Sequence, residues 1–140
     1  MIISEEWSCK LIIEKQKIPD ILLIKPTVHN DERGYFIETF KQSIFDNIGR
    51  KIKFVQDNIV YTKSSGIIRG LHYQLSKSQG KLIHVISGEI LDVAVDIRQG
   101  SPYFGQYINI NLSSKKNEIL FVPEGFAHGY LVIKPNTILQ

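Results

Sequence analysis

Gly66-Ile67-Ile68-Arg69-Gly70-Leu71-His72-Tyr73-Gln74 is the stretch with the clearest capacity for chemistry. Its apolar positions predict a strand. Strict alternation places Ile67, Arg69, Leu71 and Tyr73 on one face and Ile68, Gly70, His72 and Gln74 on the other. Each face then holds polar groups that need partners if buried. A strand lining a wet or substrate-filled pocket would supply them. Gly70 suits close approach by a second backbone or a ligand, or a local bulge. Alone, this stretch would read as a sheet strand with a satisfied histidine on its solvent face. The residues downstream shift the reading to a pocket.

Three chemistries fit those residues. The first is a metal site, since His72, His84 and His128 could ligate a transition metal on a β-barrel wall. The usual barrel pattern sets two histidines two apart with a glutamate close behind. Here Gln74, a poor ligand, holds the partner position, so neither a metal nor a cofactor is expected. The second is proton abstraction from a carbon beside a ketone. That needs a base of near-neutral pKa and a cation or donor for the developing enolate oxygen. His72 can be the base and Lys81 the cation, if they project from neighbouring strands. A nucleoside diphosphate handle calls for arginine, with Arg33 and Arg69 as candidates, and Phe36 could stack on a base or sugar. The third is sugar or nucleotide binding without turnover, which uses the same groups. Spacing alone does not separate the second from the third.

The elements that must hold these residues are mostly short strands. Lys10 to Glu14 and Ile21 to Lys25 read as two strands around a turn. His29 to Gly34 reads as a turn-rich cluster. It leads into a strand, Tyr35 to Phe40, with Phe36, Glu38 and Phe40 on one face. Gln42 to Ile48, closed by Gly49, is the one expected helix. Phe54 to Tyr61 is expected as a strand with Gln56 and Asn58 on one face. Lys81 to Ile86, Glu89 to Arg98, Gln106 to Leu112, Glu118 to Val122 and Phe126 to Ile133 follow as strands, and Thr137 to Gln140 opens another. Gln106 to Leu112 has the alternation of a half-buried antiparallel strand. Many short strands with one helix imply an all-β sandwich or barrel.

Composition narrows the class further. The chain has 140 residues, 43% hydrophobic and 22% charged, which suits one globular domain over 1–140. Its net charge of +3 is mild and its basic residues are scattered, so nucleic acid is not an expected partner. The single Cys9 excludes an intrachain disulfide. There is no apolar run of membrane-spanning length and no signal-peptide pattern at the start, so a cytoplasmic protein without a membrane partner is expected.

Six blocks occur in order: Asp31 to Glu38, Val55 to Asn58, Ile68 to Gln74, Gln79 to Leu82, Asp92 to Arg98 with Gly100-Ser101-Pro102, and Val122 to Gly129. Together they resemble the dTDP-4-dehydrorhamnose 3,5-epimerase family from about Ile13 onward. The resemblance implies a jelly-roll (cupin) β-sandwich that works without metal, usually as a homodimer. It implies inversion of C3 and C5 of dTDP-4-dehydro-6-deoxyglucose, on the way to dTDP-L-rhamnose. The family's proton-abstracting histidine falls on His72 and its enolate-side lysine on Lys81. Substrate contacts fall on Arg33, Glu38, Gln56, Asp57, Asn58, Arg69 and His128, and Phe36 falls near the nucleotide. The family's proton-donating tyrosine and its histidine-orienting aspartate fall beyond Gln140, so a C-terminally truncated member is expected, inactive, weakly active or reliant on a partner subunit. His84 stands where the family usually has arginine. Residues 1–12 have no counterpart and are expected as a loose extension.

Overall fold

The computed structural model describes residues 11–47 and 52–140. Among them, twelve strands and one helix form a β-sandwich. One sheet has six strands in the order β1-β2-β10-β7-β12-β5, the other four in the order β6-β11-β8-β9. These are β1 (Ile12–Lys15), β2 (Leu22–Lys25), β5 (Val60–Thr62), β6 (Ile68–His72), β7 (Lys81–Ser87), β8 (Glu89–Asp96), β9 (Tyr107–Ser113), β10 (Ile119–Val122), β11 (Phe126–Val132) and β12 (Thr137–Leu139). β3 (Val28–Asp31) and β4 (Gly34–Ile37) pair only with each other. All pairings are antiparallel, in agreement with the all-β jelly-roll expectation.

Burial explains the local patterns. Ile83 and Val85 of β7, Ile90 and Ala94 of β8, Ile108 and Leu112 of β9 and Phe126 and Val132 of β11 fill the space between the sheets. A second cluster covers the outer face of the six-stranded sheet. There Leu22, Ile24, Ile119 and Phe121 meet Phe45 of α1 (Gln42–Asn47). β2 and β10 are thus covered on both faces, which is why they read as unbroken apolar runs rather than alternating ones. β9 is covered on one face only, and its alternation is plain: Ile108 and Leu112 are buried while Tyr107, Asn109 and Asn111 are exposed. Phe45 meets Phe40, Phe54 and Phe121 with ring centroids 5.9, 5.4 and 5.5 Å away, so the helix acts as an aromatic plug.

Four expectations need correction. His29 to Gly34 is not simply a turn: Val28–Asp31 is a strand, and only Glu32 and Arg33 form the turn of the hairpin. The Asp31 carboxylate accepts from the Arg33 backbone N–H at 2.8 Å, which closes the turn and leaves the flanking residues extended. β4 stops at Ile37, so Glu38 and Phe40 lie past the strand and do not share its face with Phe36. The expected strand from Phe54 begins only at Val60; Val55 and Ile59 are exposed, with no strand among the described residues to cover them. Finally, Ile12 opens β1 and Leu11 packs on the outer cluster, so the expected loose extension does not include them. Residues 1–10, and the Ile48 and Gly49 end of the expected helix, lie outside the described residues.

Candidate active site

The inner face of the four-stranded sheet carries two rows that bring polar side chains together. In the first row His72 of β6 faces His128 of β11, which faces Ala94 of β8 and Ile108 of β9. In the second, Arg69 faces Tyr130, which faces Asp92 and Ile110. Two residues along a strand separate the rows by about 7 Å. Beyond the second row, Val132, Ile90 and Leu112 continue the inner face as aliphatic core.

Arg69 and His72 should not share a face by strict alternation. They do so because the β6–β11 register shifts between His128 and Tyr130, which corrects the two-face assignment of this strand. The partners His128 and Tyr130 are two apart and lie on one side of β11, so both β6 residues opposite them turn inward. Gly70 makes the shift possible. A Cβ there would lie 2.7 Å from both the Gly129 Cα and the His128 carbonyl oxygen, and its φ of 111° is open mainly to glycine. The expected close approach or bulge at Gly70 is thus present. β6 is also the sheet's edge, so Arg69 and His72 are exposed while His128 and Asp92 are buried.

His128 Nε2–H donates to both oxygens of Asp92, at 2.9 and 2.8 Å. A carboxylate only accepts, so this contact fixes the proton on Nε2. Lys81 opens β7 on the opposite sheet. Its neighbours two and four residues on, Ile83 and Val85, lie in the inter-sheet core, so its side chain starts on the inner face. Burial pushes the Lys81 ammonium below the ordinary lysine value, and the Asp92 carboxylate pulls it part of the way back. A partly buried ammonium on the inner side of a sheet is suited to stabilise a developing enolate oxygen.

The structure therefore sets Arg69, His72 and His128 on one face of the four-stranded sheet, with Lys81 of the other sheet within electrostatic reach of Asp92. Asp92 joins them as a residue the sequence reading did not place in the site. The other candidates lie elsewhere. Arg33 is at the β3–β4 turn, its guanidinium on the Asp31 carboxylate, and Phe36 is on β4 with its ring centroid 6.4 Å from that of His29. Glu38 follows β4, half-buried. Gln56, Asp57 and Asn58 lie in the exposed segment before β5, where the Gln56 amide donates to Asn58 at 3.0 Å. His84 is on the outer face of β7, opposite Ile119 of the outer cluster, and so cannot join His72 and His128 as a ligand set. Both its ring nitrogens are buried without a hydrogen-bond partner among the described residues, and burial pushes its pKa down.

Fold and side chains define a jelly-roll protein with acid–base groups on the facing sides of its two sheets. The sequence model of dTDP-4-dehydrorhamnose 3,5-epimerase matches residues 15–140, and the chain belongs to that family of isomerases. It is 52% identical over 122 residues to dTDP-4-dehydrorhamnose 3,5-epimerase of Shigella flexneri, covering 85% of this chain and 66% of that protein. Among solved structures it superimposes with a TM-score of 0.89 and 40% identity on the Legionella pneumophila dTDP-6-deoxy-D-glucose-3,5-epimerase in complex with dTDP-4-keto-L-rhamnose, covering 93% of this chain and 69% of that one. A 3′-monoepimerase from Streptomyces bikiniensis in complex with dTDP-quinovose is similar at a TM-score of 0.79 and 26% identity, covering 89% and 64%. The chain thus spans about two thirds of the length of these relatives.

Proposed function

We propose that the protein epimerises dTDP-4-dehydro-6-deoxyglucose at C3 and C5, giving dTDP-4-dehydro-L-rhamnose, as a step of nucleotide-sugar biosynthesis. What supports this is that a chain of this family sets His72, Arg69 and the His128–Asp92 pair on one sheet face, with Lys81 of the other sheet within electrostatic reach of Asp92. The C4 ketone acidifies the hydrogens on both neighbouring carbons. His72, open to the cavity mouth, takes the proton from carbon. The Lys81 ammonium stabilises the enolate oxygen as negative charge moves onto it. Return of a proton to the opposite face inverts the centre. One base serves both carbons if the ring presents C3 and C5 in turn. Arg69, with Arg33, Phe36, Glu38, Gln56, Asp57 and Asn58, forms the binding set for the dTDP-sugar, and His128, held by Asp92, contacts the sugar.

That binding set is spread over an exposed hairpin and loop, which points to assembly. Ile68, Leu71, Tyr73 and Leu75 are exposed on and beside the β6 edge, and Tyr35 and Phe36 on the hairpin. A second copy covering these apolar groups would make a homodimer and bring the nucleotide-binding residues toward a cavity. Among the described residues no helix is long and apolar enough to cross a membrane. A nucleotide-sugar substrate and a single cysteine fit a cytoplasmic setting.

The test is incubation with the keto-sugar in heavy water, followed by proton NMR. Deuterium at both C3 and C5 with inverted product supports the reading, and His72→Asn should lower the rate by about 10²–10⁴-fold. Exchange at C3 alone would replace it with monoepimerisation, the activity named for the Streptomyces bikiniensis relative. Binding of dTDP-sugar without exchange at either carbon would identify a non-catalytic binding protein.

A further inference from the structure

His72 is the last residue of β6, and among the described residues β6 pairs only with β11. The end of an edge strand is the first part of a sheet to fray, so the place of this imidazole depends on the segment that follows it. That segment, residues 73–80, crosses to the opposite sheet, where Lys81 opens β7. Leu71 to Lys77 are exposed one after another, and Ser78 is the first residue to be partly covered. There the Gly125 backbone N–H donates to Ser78 Oγ at 3.1 Å. Among the described residues, residues 73–80 make no other hydrogen bond. Lys77, just before it, has a left-handed backbone with φ of 58°. A residue with a side chain keeps that conformation only where neighbouring contacts hold it.

The turn that Ser78 grips is itself held. The Gly125 carbonyl accepts from the Ile97 N–H at 3.2 Å, and the Arg98 side chain lies where a Cβ on Gly125 would stand. Arg98 is ion-paired to Asp96 and Asp20, and its guanidinium sits 4.7 Å from the centroid of the Phe126 ring. The same turn lies between two supports of the site. Val122 before it is the cross-strand partner of Lys81, and Phe126 after it opens the strand that carries His128. We propose that Ser78 is a positioning residue: its hydroxyl ties the segment between His72 and Lys81 to the Gly125 turn, and so holds the His72 imidazole opposite His128. The catalytic consequence rests on the function proposed above; the tether does not.

The test uses Ser78→Ala, which removes the acceptor, and Ser78→Thr, which keeps it, in the full chain. In Ser78→Ala, amide hydrogen exchange at Gly125 and along β6 should quicken by about 3–10-fold, the scale of one lost hydrogen bond, with the β8–β11 ladder unchanged. In the epimerase assay kcat should fall by about 3–10-fold with KM within about two-fold, because Ser78 acts through the segment and not on the substrate. Ser78→Thr should restore both. A residue serving general stability would instead quicken exchange in both sheets alike and leave kcat unchanged. That result, or unaltered exchange along β6, overturns the assignment and leaves the epimerase reading standing. If the wild-type chain turns over no keto-sugar, the epimerase reading falls and the exchange measurement alone decides the tether.

Discussion

Asp92→Asn tests the carboxylate that holds His128 and acts on Lys81. The substitution keeps the side-chain volume and removes the charge. Nε2–H of His128 now reaches two carboxylate oxygens at 2.9 and 2.8 Å. An amide offers one acceptor and one donor, so one of those contacts is lost or becomes a clash of donors. A hydrogen bond to a charged group contributes about 1.5–3 kcal/mol, and a loss of about 2 kcal/mol is expected. At about 4 °C per kcal/mol for a chain of this size, Tm falls by about 8 °C. Destabilisation alone would not identify the pair, so the assay is a double-mutant cycle with His128→Phe, read by denaturant unfolding. The coupling energy should be about 1.5 kcal/mol or more. Asp92→Asn should also drive the Lys81 pKa further down, because it removes the charge that opposes the effect of burial. Lysine ¹³Cε titration reads that shift. A coupling below about 0.5 kcal/mol, within ordinary additivity error, would refute the pairing. An unmoved Lys81 titration would refute the electrostatic coupling of Lys81 to Asp92.

Gly129→Ala would place a Cβ 2.6 Å from the Arg69 carbonyl oxygen and 3.1 Å from the Gly70 Cα, forcing β6 off β11. Overpacking of this kind costs about 1–3 kcal/mol, so Tm should fall by several degrees together with dTDP-sugar affinity; an unchanged Tm would show that the strands have room to give. Asp96 answers to acid. Burial raises its pKa, but hydrogen bonds from Arg98 and Ser101 outweigh that and leave it at about 2 against an ordinary 3.8. A depressed carboxyl stabilises the fold above its unfolded value, so about 2 kcal/mol should be lost as pH falls from about 4.5 to 2. Asp96→Asn should flatten that part of the profile, and an unaltered acid slope would count against the Arg98 pairing. His84 behaves in the opposite sense. Its folded pKa lies below the ordinary 6.5, so the unfolded chain takes up the proton first and stability falls as pH drops through that value. His84→Leu should remove this slope and raise stability by about 1 kcal/mol, because two unpartnered nitrogens disappear; a destabilised variant would mean that the imidazole has a partner.

Where one face of a strand is covered and the other wet, as in β9, the residue types state the answer. β10 is legible for the converse reason, since apolar residues at four successive positions need cover on both sides. The β3–β4 hairpin is not legible in that way. It has no core face, and cross-strand pairing with the Asp31 turn bond holds it extended. Asp92 was hidden by its surroundings: Leu91, Val93 and Val95 on one face of β8 are as aliphatic as Ile90 and Ala94 on the other, so alternation does not say which face is inside. Knowing that it is inside turns a motif residue into the partner of His128.

The site itself depends on a break in the rule that makes strands readable. A regular β6 would send Arg69 and His72 to opposite sides, and the inner face would have either the guanidinium or the imidazole. The register shift gives it both, three residues apart on one wall. Such a shift needs two backbones closer together than side chains allow, and glycine stands on each of them: Gly70 on β6 and Gly129 on β11. Gly70 is therefore as much a determinant of the chemistry as His72, although it brings no functional group. Its place between Arg69 and Leu71 was the visible signal of the irregularity. Only the pairing with β11 shows which side chains the irregularity turns inward.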